Sequence, residues 1–210
     1  MLFMASAQTS SATQPQPRLG LRERKKIQTR QAIRRAAYRL FERQGYDATP
    51  VDQIAEAADV SPSTVFRYFP TKEDLVLTDE YDRVVEAAIR ARPPHESPLE
   101  AVRHGVMDAL RHTIENDITE LMQRTRLMRA VPALRGRRAE GTAESSRMLR
   151  VVLAERTGRH PDDLELRVAA VAILAAIQEA MMTWVDRGQG EDLMAIIGRG
   201  LDVLARGLAL

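Results

Sequence analysis

Apolar residues recur at helical spacing along nearly the whole chain. Ile33, Ala36, Ala37, Leu40 and Phe41 fall at i, i+3, i+4, i+7 and i+8, one stripe bordered by basic side chains, and predict a helix over residues 22–44 that Gly45 closes. Thr49-Pro50-Val51-Asp52 is a helix start signal, with a capping hydroxyl, a proline suited to the first helical position and an acid near the exposed amides. The helix it opens is short, ending near Ala58, and Ser61-Pro62 repeats the signal after the three-residue gap Asp59-Val60-Ser61. Thr71-Lys72-Glu73-Asp74 starts a longer helix to about Arg92, which Pro93-Pro94 ends. Ser97-Pro98-Leu99-Glu100 is a capping box opening a helix to about Asn116. Further helices are predicted over 118–130, 134–157, 162–187 and 192–208, broken at Pro132, Gly158–Pro161 and Gly188–Gly190. With no hairpin turn between alternating strands, the pattern defines an all-α protein.

Two brief helices joined by a three-residue turn and braced by a longer one form a helix-turn-helix. Ala55, Val60 and Val65 lie five residues apart: a small residue where the helices cross, an apolar plug in the turn, and an apolar residue on the inner face of the second helix. That spacing leaves the second helix free to enter a major groove. Its outer face offers Ser63, Thr64, Arg67 and Tyr68; Arg67 suits a guanine edge, and the hydroxyls suit bases or phosphates. Ser61, Tyr68, Thr49 and Lys72 sit where phosphates can be held, although capping alone accounts for Thr49 and Ser61, and Tyr68 can pack on the next helix.

Charge strengthens this picture. The chain carries a net +2, but residues 18–72 hold twelve Arg or Lys against six acids, leaving a basic N-terminal third on an acidic body. Arg18, Arg22, Arg24, Lys25 and Lys26 can reach the minor groove or backbone, or simply solubilise the arm. The first residues are polar and uncharged, lack an apolar core of secretory length, and read as a disordered arm over 1–20. A DNA-binding unit over 21–75 and a body over 76–210 complete the expected organisation.

Composition excludes several chemistries. Hydrophobic residues at 44% and charged residues at 29% describe a globular chain, and the absence of cysteine removes disulfides, thiolate zinc sites and a cysteine nucleophile. No Gly-x-Ser-x-Gly, His-Glu-x-x-His, phosphate loop or dinucleotide fingerprint occurs, so an enzyme is not expected. His104, Asp108 and His112 share one helix face, but i to i+8 spans about 12 Å and nothing completes a metal site; a solvated face is the better reading. Residues 168–185 are mostly apolar yet alanine-rich, with Gln178, Glu179 and Thr183 at the centre, which suits a helix between subunits better than a membrane span.

The residues Thr29-Arg30, Ala36-Ala37, Leu40-Phe41, Gly45-Tyr46, Thr49, Ile54-Ala55, Ala58, Val60-Ser61, Val65-Phe66, Tyr68-Phe69-Pro70, Lys72-Glu73 and Leu75 resemble the DNA-binding domain of TetR-family regulators over about 22–75. The resemblance implies DNA contacts from Arg30, Thr49, Ser61, Ser63, Thr64, Phe66, Arg67, Tyr68 and Lys72. Asp59 and Ser63 stand where the family often has glycine, and Phe66 where it often has tyrosine. Asp59 must therefore tolerate a positive backbone angle.

The body resembles a TetR effector and dimerisation domain by architecture, with a layout similar to the subgroup that binds acyl-CoA-like or other hydrophobic ligands. The resemblance implies a cytoplasmic homodimer on a palindromic operator, paired through the last two helices, and a small hydrophobic effector with no cofactor. Candidate ligand contacts are Met107, Arg111, Met122, Arg126, Gln178, Met181, Met182 and Trp184. An activator or architectural DNA binder whose body serves only for dimerisation is the competing reading.

Overall fold

The computed structural model describes residues 20–77, 81–188 and 191–208. The helices are α1 (Leu21–Gln44), α2 (Val51–Ala57), α3 (Pro62–Tyr68), α4 (Asp74–Leu77), α5 (Tyr81–Arg90), α6 (Pro98–Ala130), α7 (Pro132–Thr157), α8 (Leu164–Arg187) and α9 (Leu193–Ala205). No strand occurs among the described residues, so the chain is all-α as its periodicity predicts. The expected N-terminal arm, including Arg18, lies outside the described residues apart from Gly20.

Most start signals work as their chemistry dictates. The Ser97 amide donates to Glu100 Oε2 (2.9 Å) and the Glu100 amide to Ser97 Oγ (3.3 Å), a reciprocal capping box. Thr71 and Asp74 make the same exchange ahead of α4, at 2.9 and 3.3 Å. Asp192 accepts from the Met194 amide at the start of α9. The helix expected over residues 71–92 is described as α4 and α5, on either side of residues 78–80, which lie outside the described residues. One expectation needs correction: the break at residues 116–118 does not occur, and α6 runs 33 residues without interruption. Asn and Asp cost a helix interior well under about 1 kcal/mol relative to alanine, far less than proline, and neighbouring packing overrides that.

Two apolar clusters organise the chain. The first joins Ile33, Ala37, Tyr38 and Phe41 of α1 to Ile54, Ala55, Val65 and Phe69 of the helix-turn-helix and to Leu75 and Val76 of α4. Val131 and Leu134, at the one-residue corner where α6 passes into α7, complete that same cluster. The second cluster is built by α5 to α9. The long helix α6 touches α1, α4, α5, α7, α8 and α9, and so spans both.

α8 shows why its sequence is apolar nearly all round. Leu166, Ala170, Ile173, Ala180 and Trp184 face the core, while Leu164 (70% exposed), Val168 (59%) and Val171 (55%) stand on the opposite side with Ala175. By length and composition α8 is long and apolar enough to cross a membrane. Its core-facing side is instead packed on α9, where Gly200 lets the helices approach so closely that a Cβ there would sit 3.2 Å from the Ala176 carbonyl oxygen.

Candidate DNA-reading face and effector cavity

The α2–α3 turn follows from a single backbone feature. Asp59 adopts φ +54°, the left-handed region. The Val60 amide then donates to the Ala55 carbonyl (3.0 Å) and the Asp59 amide to the Glu56 carbonyl (3.1 Å), which is a Schellman closure of α2. Ala55 and Val65 are buried and Val60 is half-buried against the same cluster, so the five-residue spacing read in the sequence does lock the two helices. Aspartate meets the backbone requirement because its short polar side chain tolerates this conformation better than most.

With Val65 turned inward, α3 presents its other face to solvent. Ser61, Ser63, Phe66 and Arg67 are exposed, Phe66 at 47%, and Thr64 and Tyr68 are half-buried. Ser61 caps α3 by accepting from the Thr64 amide (3.2 Å), and its Oγ lies 2.9 Å from both Ser63 Oγ and Thr64 Oγ1. Three hydroxyls therefore cluster at the amide end of α3, one turn from Arg67. The Arg67 guanidinium carbon lies 5.5 Å from the centre of the Tyr68 ring, which places a planar donor fork beside a phenol on the open face.

The remaining expected contacts are placed differently. Arg30 is half-buried with its guanidinium carbon 4.7 Å from the Phe69 ring centre, bracing α1 against the end of α3. Lys72 donates to the Tyr46 carbonyl and sits 4.4 Å from the Tyr46 ring centre; burial pulls its ammonium below the ordinary lysine range. Thr49 is corrected outright. It is fully buried, and its hydroxyl donates backward to the Gly45 carbonyl (2.7 Å) while accepting from the Gln44 amide nitrogen (3.2 Å). Pro50, not Thr49, occupies the cap position of α2. The hydroxyl is spent on closing the α1–α2 turn.

Behind this face lie two adjoining cavities, of about 660 and about 590 Å³. The larger is walled by Val85 and Ile89 of α5, Val106, Leu110 and Leu121 of α6, Met148 and Leu149 of α7, and Ile173, Ile177 and Met181 of α8, and it reaches Arg34 and Arg35 of α1. The smaller is more charged, bounded by Asp74, Arg83, Arg137, Glu144 and Ser145 as well as Gln178, Met181 and Met182. Arg124, Asp82 and Met128 border both. Apolar walls with a few convergent polar groups are the usual constitution of a small-molecule site.

Of the ligand contacts expected from sequence, Gln178, Met181 and Met182 line a cavity. The other five do not. Met107, Met122 and Trp184 pack into the body's core, and Arg111 and Arg126 are exposed on α6, Arg111 paired with Asp108 at 3.1 Å. Sequence reasoning misses Arg124, Met148 and Arg34. For Arg124 a signal exists: it shares a face of α6 with Leu121, Thr125 and Met128, an arginine within an otherwise inward-facing stripe. His104 meets Glu96 (3.1 Å) and Arg92, and no group of three metal-ligating side chains occurs among the described residues; the His112 side chain lies outside them.

Arginines also tie the two clusters together. Arg34 of α1 pairs with Glu120 of α6 (3.2 Å), Gln123 donates to Glu42 (3.0 Å), and Arg137 of α7 reaches Thr71, Glu73 and Asp74 at the head of α4. An exposed helix on a helix-turn-helix and ligand-sized cavities in the helical body, joined through α1, α4 and α6, are the arrangement of a helix-turn-helix DNA-binding protein.

Comparison with known proteins agrees. Residues 33–78 match the family profile described as bacterial regulatory proteins, tetR family, and residues 96–209 match the MftR C-terminal domain. The chain is 33% identical over 190 residues to the HTH-type transcriptional regulator TcmR of Streptomyces glaucescens, covering 84% of this chain and 81% of that one. It is similar in fold to FadR of Thermus thermophilus in complex with lauroyl-CoA, with a TM-score of 0.57 and 24% identity over 86% of this chain and 95% of the other. FadR of Bacillus subtilis in complex with stearoyl-CoA gives a TM-score of 0.59 and 23% identity over 85% and 99%. The chain belongs to the TetR family of bacterial transcriptional regulators. It is a helix-turn-helix transcriptional regulator of that family.

Proposed function

We propose that two copies of the chain, paired through α8 and α9, hold their α3 helices in successive major grooves of a near-palindromic operator, and that a small hydrophobic effector in the body releases them. The carrying observation is the open face of α3, where three clustered hydroxyls stand one turn from Arg67 while Val65 locks the helix from behind. In this reading Arg67 reads a base edge, and Ser61, Ser63, Thr64, Phe66 and Tyr68 touch bases or phosphates. Arg30 and Lys72 act chiefly by holding α3 and the α1–α2 turn in place, with the backbone rather than the Thr49 hydroxyl available near that turn. Residues 21–75 form the reader and 76–210 the effector and dimerisation unit, in the cytoplasm with the DNA. The effector class is an elongated apolar molecule with an acyl-CoA-like anionic end, supported by the apolar wall of the larger cavity, the Arg34, Arg35 and Arg124 side chains at its edge, and the acyl-CoA complexes of the two FadR proteins.

Fluorescence anisotropy on DNA recovered from a random pool by binding to the full-length protein tests the reader. Arg67→Ala is expected to weaken selected DNA about 5- to 150-fold, the equivalent of about 1–3 kcal/mol for one bidentate base contact, while non-selected DNA is bound nearly as before. Equal affinity of the variant and the unmodified protein for selected DNA would remove Arg67 from the reading face.

A further inference from the structure

We propose that Arg124 is at once the effector's anion receptor and the latch on α4, so that the anionic group releases the reader by taking the guanidinium away from the helix it holds. This rests on the effector-released reading above. Arg124 of α6 borders both cavities. Its Nε donates to the Val76 carbonyl (2.8 Å) and its Nη2 to the Leu77 carbonyl (3.4 Å), both in α4. The guanidinium therefore ties α6 directly to the backbone of α4, which leads from reader to body.

The electrostatics favour exchange of partners. Burial, with Arg34 nearby adding like-charge repulsion, pulls the Arg124 guanidinium down to about 10, so its surroundings support the positive charge less well than water does. Asp82, which borders both cavities, is engaged by Ser145, whose hydroxyl donates to Asp82 Oδ2 at 2.7 Å. The Val76 and Leu77 carbonyls are neutral acceptors. A carboxylate or phosphate entering the cavity offers bidentate, charge-assisted hydrogen bonds about twice as strong as neutral ones, and competes directly for the same fork. Val76 is buried in the cluster that also holds Val65 and Phe69, so loosening α4 is felt at the base of α3.

An uncharged ligand of the same length fills the apolar wall but leaves the latch closed. The test uses full-length protein, its selected DNA, and three probes: dodecanoate, lauroyl-CoA and dodecanol. For the unmodified protein, one or both anionic probes are expected to release DNA, carboxylate and phosphate being distinguished by which succeeds, while dodecanol binds by calorimetry without release. In Arg124→Met, dodecanol affinity stays within about 3-fold, anionic probes bind at least 10-fold more weakly, and release is lost. Amide hydrogen exchange over residues 71–77 without any probe rises at least 10-fold in the variant, and Arg124→Gln, which keeps a neutral donor, repeats the loss of release. Release of Arg124→Met by the anionic probes at the unmodified protein's concentration, or release of the unmodified protein by dodecanol, overturns the latch alone. Failure of the unmodified protein to bind DNA or any probe overturns the proposed function, and the latch with it.

Discussion

Replacing Val168 and Val171 together by aspartate is expected to yield a folded monomer that no longer grips operator DNA. Both side chains are more than half exposed in the single chain and stand with Leu164 and Ala175 on the side of α8 opposite its buried face. Exposed substitutions of this kind change the stability of a lone subunit by no more than about 0.5 kcal/mol each. Pressed against a second copy, the same carboxylates lose their water without gaining a partner, and a pair of them on each side of a two-fold interface is prohibitive. Specific binding exceeds non-specific binding by about 4–10 kcal/mol for a typical two-site reader, so losing one half-site forfeits at least about 2 kcal/mol, or about 30-fold in operator affinity. Sedimentation velocity reads the first effect and anisotropy the second. A double variant that still sediments as a dimer would place the subunit contact elsewhere.

The largest effect on stability is expected at Gly105. It faces α5 from α6, and a Cβ built there would lie 2.6 Å from Ile89 Cγ1, 2.8 Å from Ile89 N and 2.9 Å from Ile89 Cα. A side-chain atom can rotate away, but a backbone cannot without shifting the whole of α5, and Ile89 is fully buried. Helix propensity alone predicts that Gly105→Ala gains about 1 kcal/mol. Overpacking of about 1–3 kcal/mol or more opposes this, and the backbone clash puts Gly105 at the upper end, so the sign should be a net loss, with Tm falling by about 2–8 °C. Gly136 on α7 is the control: nothing lies within 4 Å of the point a Cβ would occupy there, so Gly136→Ala should hold or raise Tm. A Gly105→Ala protein as stable as the original would mean that α5 and α6 separate freely, and the cavity between them with it.

What can be read from the sequence depends on the range of the interaction. Caps are local, and Ser61, Thr71, Ser97 and Asp192 all act as their neighbours in sequence dictate. The helix-turn-helix is legible for the same reason, since the Ala55, Val60 and Val65 spacing and the Asp59 turn are contained within a dozen residues. Thr49 is ambiguous because a hydroxyl before a proline can point forward to cap or backward to a carbonyl, and only the α1–α2 turn decides. The cavity is the least legible part. Methionines on apolar faces look alike whether they meet a ligand or a neighbour: Met181 and Met148 line the space, while Met107 fills the gap beside Gly198 of α9. Arg124 escapes because its partners, Val76 and Leu77, are 48 and 47 residues distant.

The most direct measurement of two-helix operator reading is hydroxyl-radical footprinting of the full-length protein on its selected DNA. Two protected patches on one face of the duplex, related by a dyad and centred about 34 Å apart or a whole multiple of it, are predicted from two α3 helices in successive major grooves. A single unpaired patch, or protection unchanged when Arg67 is replaced by alanine, would contradict it.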